Sequence, residues 1–230
     1  MFTKKAILGM AAFGVMAALA LPAMAENKAT EARETVAAAR ATLGHFLADP
    51  DMSWIREHLD QAKAVLIVPS QGKGGFIFAG SGGVGVLLVR ERDGRWSSPA
   101  FYRLASVSVG LQIGGEKSEV LLFVQSQKGV DSFLTQSFKL GADASVAAGP
   151  VGQGTQAATA DVLSFSRSKG AFVGASLEGT MVKPAEDLNE AFYHKFASPV
   201  DILVRGTIKS ELAKGLQEDL AQATAPRKNK

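Results

Sequence analysis

The chain has 230 residues, a formal net charge of +3 and no cysteine. That length allows one domain with a sizeable core. The missing thiols exclude disulfide bracing and thiolate metal sites, and so small a charge gives no support to a nucleic-acid partner.

Lys4 and Lys5 precede the apolar run AILGMAAFGVMAALAL and then PAMA, with alanines at 23 and 25. A charged start, an apolar stretch short for a bilayer span and an A-x-A site form the pattern of a secretory signal peptide, residues 1–25, cut after Ala25. The expectation is a periplasmic or secreted protein. Cleavage removes two of the 25 basic residues and leaves 23 against 22 acidic ones, so any attraction for anions must come from local clusters.

Residues 28–48 read as a helix with Ala32, Val36, Ala39, Leu43, Phe46 and Leu47 on one face. DPD at 49–51 ends it. SWIREHLDQA follows as a short helix, with Ser53 as N-cap and Trp54, Ile55, His58 and Leu59 inward. AVLIVPS reads as a strand stopped by Pro69. From Gly74 to about Val182 the texture changes to short strands: GFIFAG, GVGVLLVR, ASVSVGLQIG, EVLLFVQS, ASVAAG and VLSFSR. Asp93-Gly94 suits a two-residue type I′ turn. GVDSFLTQSFK interrupts the strands as a helix with Val130, Phe133, Leu134 and Phe138 on its apolar side.

The chain then returns to helix. Leu188, Phe192 and Phe196 align at four-residue steps, Ser198 and Pro199 open another short helix, and Ile208, Leu212, Leu216 and Leu220 repeat the same step. The expected architecture is α+β: a strongly curved, mainly antiparallel, glycine-rich sheet or partly closed barrel flanked by N- and C-terminal helices. Residues 26–225 read as a single domain and 226–230 as a disordered tail.

Catalytic and metal patterns are weak. GSGGVG at 80–85 matches G-x-G-x-x-G through Gly80, Gly82 and Gly85, but a dinucleotide site needs a helix after it and VLLVRER is strand-like. Ser81 stands in a loose echo of a nucleophile elbow, with no histidine motif to serve it. His45, His58 and His194 lack metal-ligand spacing, and DPDMSWIREHLD lacks the glycine of a calcium loop. No catalytic, cofactor or metal site is expected. Basic residues punctuate the turns instead. Lys73 opens the glycine-rich hairpin, Arg167 and Lys169 tip another, and Lys183 ends its second strand. Gathered at one rim, they suit phosphate or sulfate head groups; scattered, they are ordinary solvated charges.

Several segments carry a resemblance. AKAVLIVPSQGKGGFIFAGSGGVGVLLVRERDGRWSSPAFY resembles the opening of the SYLF domain, and SVAAGPVGQG its central segment. FSRSKGAFVGASLEG resembles the signature S-R-S-K-G-x-F-x-G-x-S-L-E-G, and DLNEAFY is similar to the D-x-N-x-x-F-Y segment after it. The resemblance covers roughly residues 30–220. His194 departs from the pattern, which has a glycine after F-Y. Eukaryotic members bind phosphoinositides and fungal members regulate cortical actin. The resemblance therefore implies lipid binding, with Lys73, Arg167 and Lys169 on matching positions.

The leading expectation is a non-enzymatic, membrane-associated binding domain for anionic lipid or phospholipid head groups through Lys73, Arg167, Lys169 and Lys183, without cofactor or nucleic acid. Export argues against actin as a partner. The alternative is an envelope protein-interaction or scaffold module without lipid specificity, and a hydrolase centred on Ser81 is a third reading. The N-terminal amphipathic helix suits docking on the sheet better than lying on a membrane.

Overall fold

Heptad-like spacing of small and apolar residues builds the first helix, α1 (Met10–Ala48). Ala29, Ala32, Val36, Ala39, Leu43 and Phe46 alternate three- and four-residue steps and are all buried, which makes one stripe along the helix. The computed structural model describes residues 10–69, 82–105, 118–149, 159–168, 171–172 and 177–225, with backbone alone for 10–25, 82, 168 and 171–172. The stripe lies on the sheet and against the fourth helix, so the N-terminal helix is docked as expected. Asp49 caps a 3-10 turn at Pro50–Met52 by accepting from the Asp51 N–H at 3.0 Å. The next helix, α2 (Ser53–His58), therefore starts at Ser53 rather than being capped by it.

The strands are β1 (Ala64–Val68), β2 (Gly82–Val89), β3 (Ala100–Ala105), β4 (Ser118–Val124), β5 (Phe138–Lys139), β6 (Val146–Ala148), β7 (Val162–Ser168), β8 (Ala171–Phe172) and β9 (Met181–Pro184). Helix α3 (Gln127–Phe133) follows β4, and α4 (Glu186–Tyr193), α5 (Pro199–Leu203) and α6 (Lys214–Ala223) follow β9. The sheet runs β5-β9-β3-β2-β1-β4-β7-β6, with β8 on β7, and among the described strands only β6–β7 is parallel. All five residues of β1, near the middle of this path, are buried.

Chain length forces the sheet to curl. Laid flat, the path from β5 to β6 would span about 34 Å at ~4.8 Å per strand. The chain from Lys139 to Val146 joins these two edges and reaches at most about 25 Å even when extended. It is not extended: the N–H groups of Ala142 and Asp143 both bond to the Lys139 carbonyl, and Gly141 N–H bonds to Ala144 O. The result is an α+β half-barrel, mostly antiparallel, flanked by N- and C-terminal helices. Close approach between β1 and β2 depends on Gly85, where an added Cβ would lie 2.8 Å from both Ile67 O and Val68 Cγ2.

Alternation divides the core between two faces. On the helix face, Trp54 of α2 packs on Phe165 and Phe123 at 5.7 and 5.2 Å, and Phe192 of α4 on Phe101 at 5.2 Å. On the other face Phe133 meets Tyr102 and Phe138 at 5.4 and 4.8 Å, and Tyr102 Oη donates to Phe133 O at 2.6 Å.

Several local expectations are corrected. The Asp93-Gly94 turn is not type I′, since Gly94 has φ 85° and Asp93 no positive φ. Gly94 N–H bonds to Glu91 O and Glu91 N–H to Arg95 O, a three-residue loop closed by a left-handed glycine. Helix α3 stops at Phe133, so Phe138 belongs to β5. Helix α6 begins at Lys214, which leaves Leu212 56% exposed. Phe196 misses the stripe of α4 because His194 ends that helix in the left-handed region, at φ 54°. GFIFAG, most of ASVSVGLQIG and the tail 226–230 lie outside the described residues.

Candidate functional site

Strand register collects one set of chain ends at a single rim of the half-barrel. Val68 at the end of β1 pairs with Val120 of β4, Gly82 with Ala105, Ala105 with Met181, and Ser118 with Ser168. The chain thus leaves β1, β3 and β7 and enters β2, β4 and β9 at the same end. Lys73 lies between β1 and β2, and Lys169 between β7 and β8; both fall outside the described residues. Ser168 pairs with Ala171, so Lys169 and Gly170 separate two paired antiparallel strands, as the sequence suggested.

Arg167 sits one residue inside this rim and is engaged by carboxylates. Its Nε donates to Asp49 Oδ2 at 2.8 Å and its Nη1 to Glu119 Oε2 at 3.1 Å. The other Glu119 oxygen accepts from Thr42 Oγ1 at 2.9 Å and lies 2.8 Å from His45 Nδ1. Side-chain exposures of 17% for Arg167, 7% for Asp49 and 15% for Glu119 shield the triad from bulk screening. It ties the C-terminal end of α1 to β4 and β7. Arg167 is thus a clamp rather than an open cation, and no feature of the sequence singled out Asp49 or Glu119 as its partners.

Lys183 lies elsewhere on the sheet. It is exposed and pairs in register with Arg103 on β3. Along the sheet five strand spacings separate β9 from β7, and Lys183 belongs to β9 rather than to the second strand of the β7–β8 pair.

The DLNEAFY segment anchors α4 to β3. Arg103 donates to both Asp187 oxygens at 2.6 and 2.8 Å, and Lys28 of α1 stands 3.4 Å from the same carboxylate. Burial pushes the Asp187 carboxyl up, but the hydrogen bonds and charge of Arg103 outweigh it and hold it below its usual value. Asn189, fully buried, accepts the Phe101 N–H at 2.9 Å, and its Nδ2 donates to Phe101 O at 3.4 Å. Tyr193 Oη donates to Pro99 O at 2.6 Å, and burial raises its phenol. The motif residues Asp187, Asn189, Phe192 and Tyr193 therefore all grip residues 99–103, continuing the pairing of β3 where β9 ends at Pro184. The glycine position of the pattern is the left-handed residue that ends α4, occupied here by His194.

A second polar node joins α3, β6 and β7. Asp161 accepts from Ser126 Oγ at 2.5 Å and from Ser145 N–H and Oγ at 3.0 and 2.8 Å. The Ser126 hydroxyl, the Ser145 groups and Lys128 outweigh burial and lower the carboxyl to about 2. Ser126 also caps α3 through Gly129 N–H at 2.9 Å.

Gly82 and Gly85 of GSGGVG are both within β2, which continues as strand to Val89 rather than opening a helix. Ser81 lies outside the described residues. His58 stacks on Trp54 at 4.3 Å, with Nδ1 2.9 Å from the Trp54 carbonyl. Among the described residues no cluster of three or more His, Asp or Glu is placed to hold a metal, and no helix is long and apolar enough to cross a membrane.

Residues 105–223, just over half of the chain, match the family described as Ysc84: Las17-binding protein actin regulator. The chain is 35% identical over 143 residues to LAS seventeen-binding protein 3 of Saccharomyces cerevisiae, covering 59% of this chain and 31% of that protein. To human SH3 domain-containing YSC84-like protein 1 it is 31% identical over 163 residues, covering 68% and 48%. It spans about a third to a half of the length of these relatives. The matched span holds Arg167 and Glu119 of the clamp, though not Asp49, and the whole Asp187–Tyr193 segment, and on that match the chain belongs to the Ysc84 family, that of the SYLF domain.

Proposed function

We propose that this protein is a non-enzymatic binding domain for anionic phospholipid head groups, exported to the periplasm or secreted after cleavage near Ala25. The observation that carries this reading is the single rim at which the chain leaves for Lys73 and Lys169. These two lysines supply the head-group contacts, Lys183 extends the positive charge along the sheet, and Arg167 holds the base of the β7–β8 pair. Because the apolar stripe of α1 is already buried, no apolar helix face is left over from that stripe for insertion. Binding through the two lysines is electrostatic and weakens with salt.

Vesicle flotation tests the reading. Wild-type protein floats with phosphatidylglycerol vesicles at low salt and not with phosphatidylcholine, and Lys73→Glu/Lys169→Glu stays with the pellet while keeping its melting temperature. Equal flotation of both proteins, or none with either lipid, sinks it. Among the described side chains the buried stripe of α1 runs from Ala29 to Phe46, on the mature side of the expected cut after Ala25. N-terminal sequencing of the exported protein is expected to start at Glu26; a chain retaining Met1 would refute the export reading.

A further inference from the structure

Among the described residues two buried hydroxyls lack a hydrogen-bond partner, Ser166 Oγ and Thr180 Oγ1. Their residues are 2% and 0% exposed. Buried hydroxyls left unsatisfied are destabilising and rare, so each calls for a reason outside the packing. Both stand toward the loop rim. Thr180 directly precedes β9, which enters from that rim, and Ser166 pairs with Val120, two residues inside it. Alternation along β7 sends Phe165 and Arg167 to the helix face, which leaves Ser166 on the other face, that of Tyr102 and Phe133.

This face changes along its length. Away from the rim it is filled by the rings of Tyr102, Phe133 and Phe138. Toward the rim β2 offers only Gly83 and Gly85, crossed by Val68, whose Cγ1 and Cγ2 would lie 2.9 and 2.8 Å from Cβ atoms added there. Val120 and Ser166 continue the same strip across β4 and β7. At its β6 side the strip is open, since Val146 and Ala148 share this face and are half-buried and exposed. A water bound at Ser166 needs two to four polar partners, but the residue facing Ser166 on β4 is a valine. An acceptor carried on an apolar body fits these surroundings better.

We infer that this strip takes one acyl chain of a lipid, whose ester carbonyl accepts a hydrogen bond from Ser166 Oγ while the chain lies along Val120 and Val68. The choice of a lipid ester rests on the head-group reading, because the chain leaves for Lys73 and Lys169 at the same rim. The free hydroxyl and its apolar neighbours are independent of it.

The test titrates the full chain by calorimetry with 1-lauroylglycerol, which is uncharged, and with lauroyl-lysophosphatidylglycerol, which is anionic, each kept monomeric. Saturable binding of one molecule per chain is expected for both. Ser166→Ala should weaken both about three- to tenfold through the lost hydrogen bond. Its melting temperature should stay level or rise, because alanine leaves no hydroxyl stranded. Ala148→Trp, which covers the open side from an exposed position, should weaken binding about tenfold or more, with circular dichroism establishing that it folds. No saturable binding, or affinities indifferent to Ser166→Ala, overturns the inference; if the protein still floats with phosphatidylglycerol vesicles, the head-group reading stands without it. Weaker binding together with a lower melting temperature in Ser166→Ala also overturns it, by assigning the hydroxyl to the fold. Ser166-dependent binding of lauroylglycerol by a protein that floats with no vesicle upholds the acyl site and removes the head-group reading.

Discussion

Replacing Arg167 with methionine keeps the aliphatic stem and removes the one cation shared by Asp49 and Glu119. Breaking a buried ion pair from one side costs about 3–5 kcal/mol, because the remaining charge is stranded. Glu119 still holds Thr42 and lies beside His45, and Asp49 still accepts the Asp51 N–H, so the lower end, about 3 kcal/mol, applies. In a domain of this size that corresponds to a melting temperature lower by about 6–12 °C. Chemical denaturation followed by circular dichroism measures it. A triple variant, Asp49→Asn/Glu119→Gln/Arg167→Met, should recover at least about half of the loss by removing the stranded charges. A cost below about 1 kcal/mol, the range of a surface pair, or no recovery in the triple variant, would refute the clamp. The consequence for binding experiments is direct: alanine at Arg167 confounds lost contact with lost structure, whereas the lysine variants do not.

Three further outcomes follow from the same contacts. Asn189→Ala leaves the buried Phe101 N–H unsatisfied and should cost about 2–4 kcal/mol, with an unchanged denaturation midpoint ruling out the clamp on β3. The Asp161 carboxyl, lowered to about 2, adds stability that is present in full above the unfolded value of about 3.9 and lost as pH falls through about 2. After screening this is about 1 kcal/mol, so Asp161→Asn should flatten the pH dependence of urea stability in that window, and a parallel curve contradicts the assignment. His194→Gly removes a side chain from a left-handed, exposed helix end and should raise stability by about 0.5–1 kcal/mol, whereas a loss in a melting experiment would show that the imidazole makes a contact of its own.

What the sequence shows of this fold depends on the range of each contact. The α1 stripe from Ala32 to Phe46 is legible because its spacing is local, and β1 because five apolar residues in a row have room only in a covered strand. Periodicity draws Phe138 and Phe196 into helices, but α3 ends at Phe133 and His194 turns the chain before Phe196. Periodicity carries no stop signal of that kind. Asn189 reads as one more polar helix residue, and only the passage of β3, 88 residues earlier, makes it a backbone clamp. Arg167 reads as a basic residue near a turn for the same reason, since Asp49 is 118 residues away. The motif letters were visible, but the partners that give them a structural role were not.

The absence of native cysteine permits a direct test of which end of the half-barrel meets lipid. Met181, 41% exposed where β9 begins at the loop rim, and Arg92, exposed in the loop at the opposite end, are each replaced by cysteine and labelled with bimane. Phosphatidylglycerol vesicles carrying a head-group spin label should quench the probe at position 181 and leave that at position 92 bright. Quenching at position 92 alone, or equal brightness at both positions, would contradict lipid binding through the loop rim.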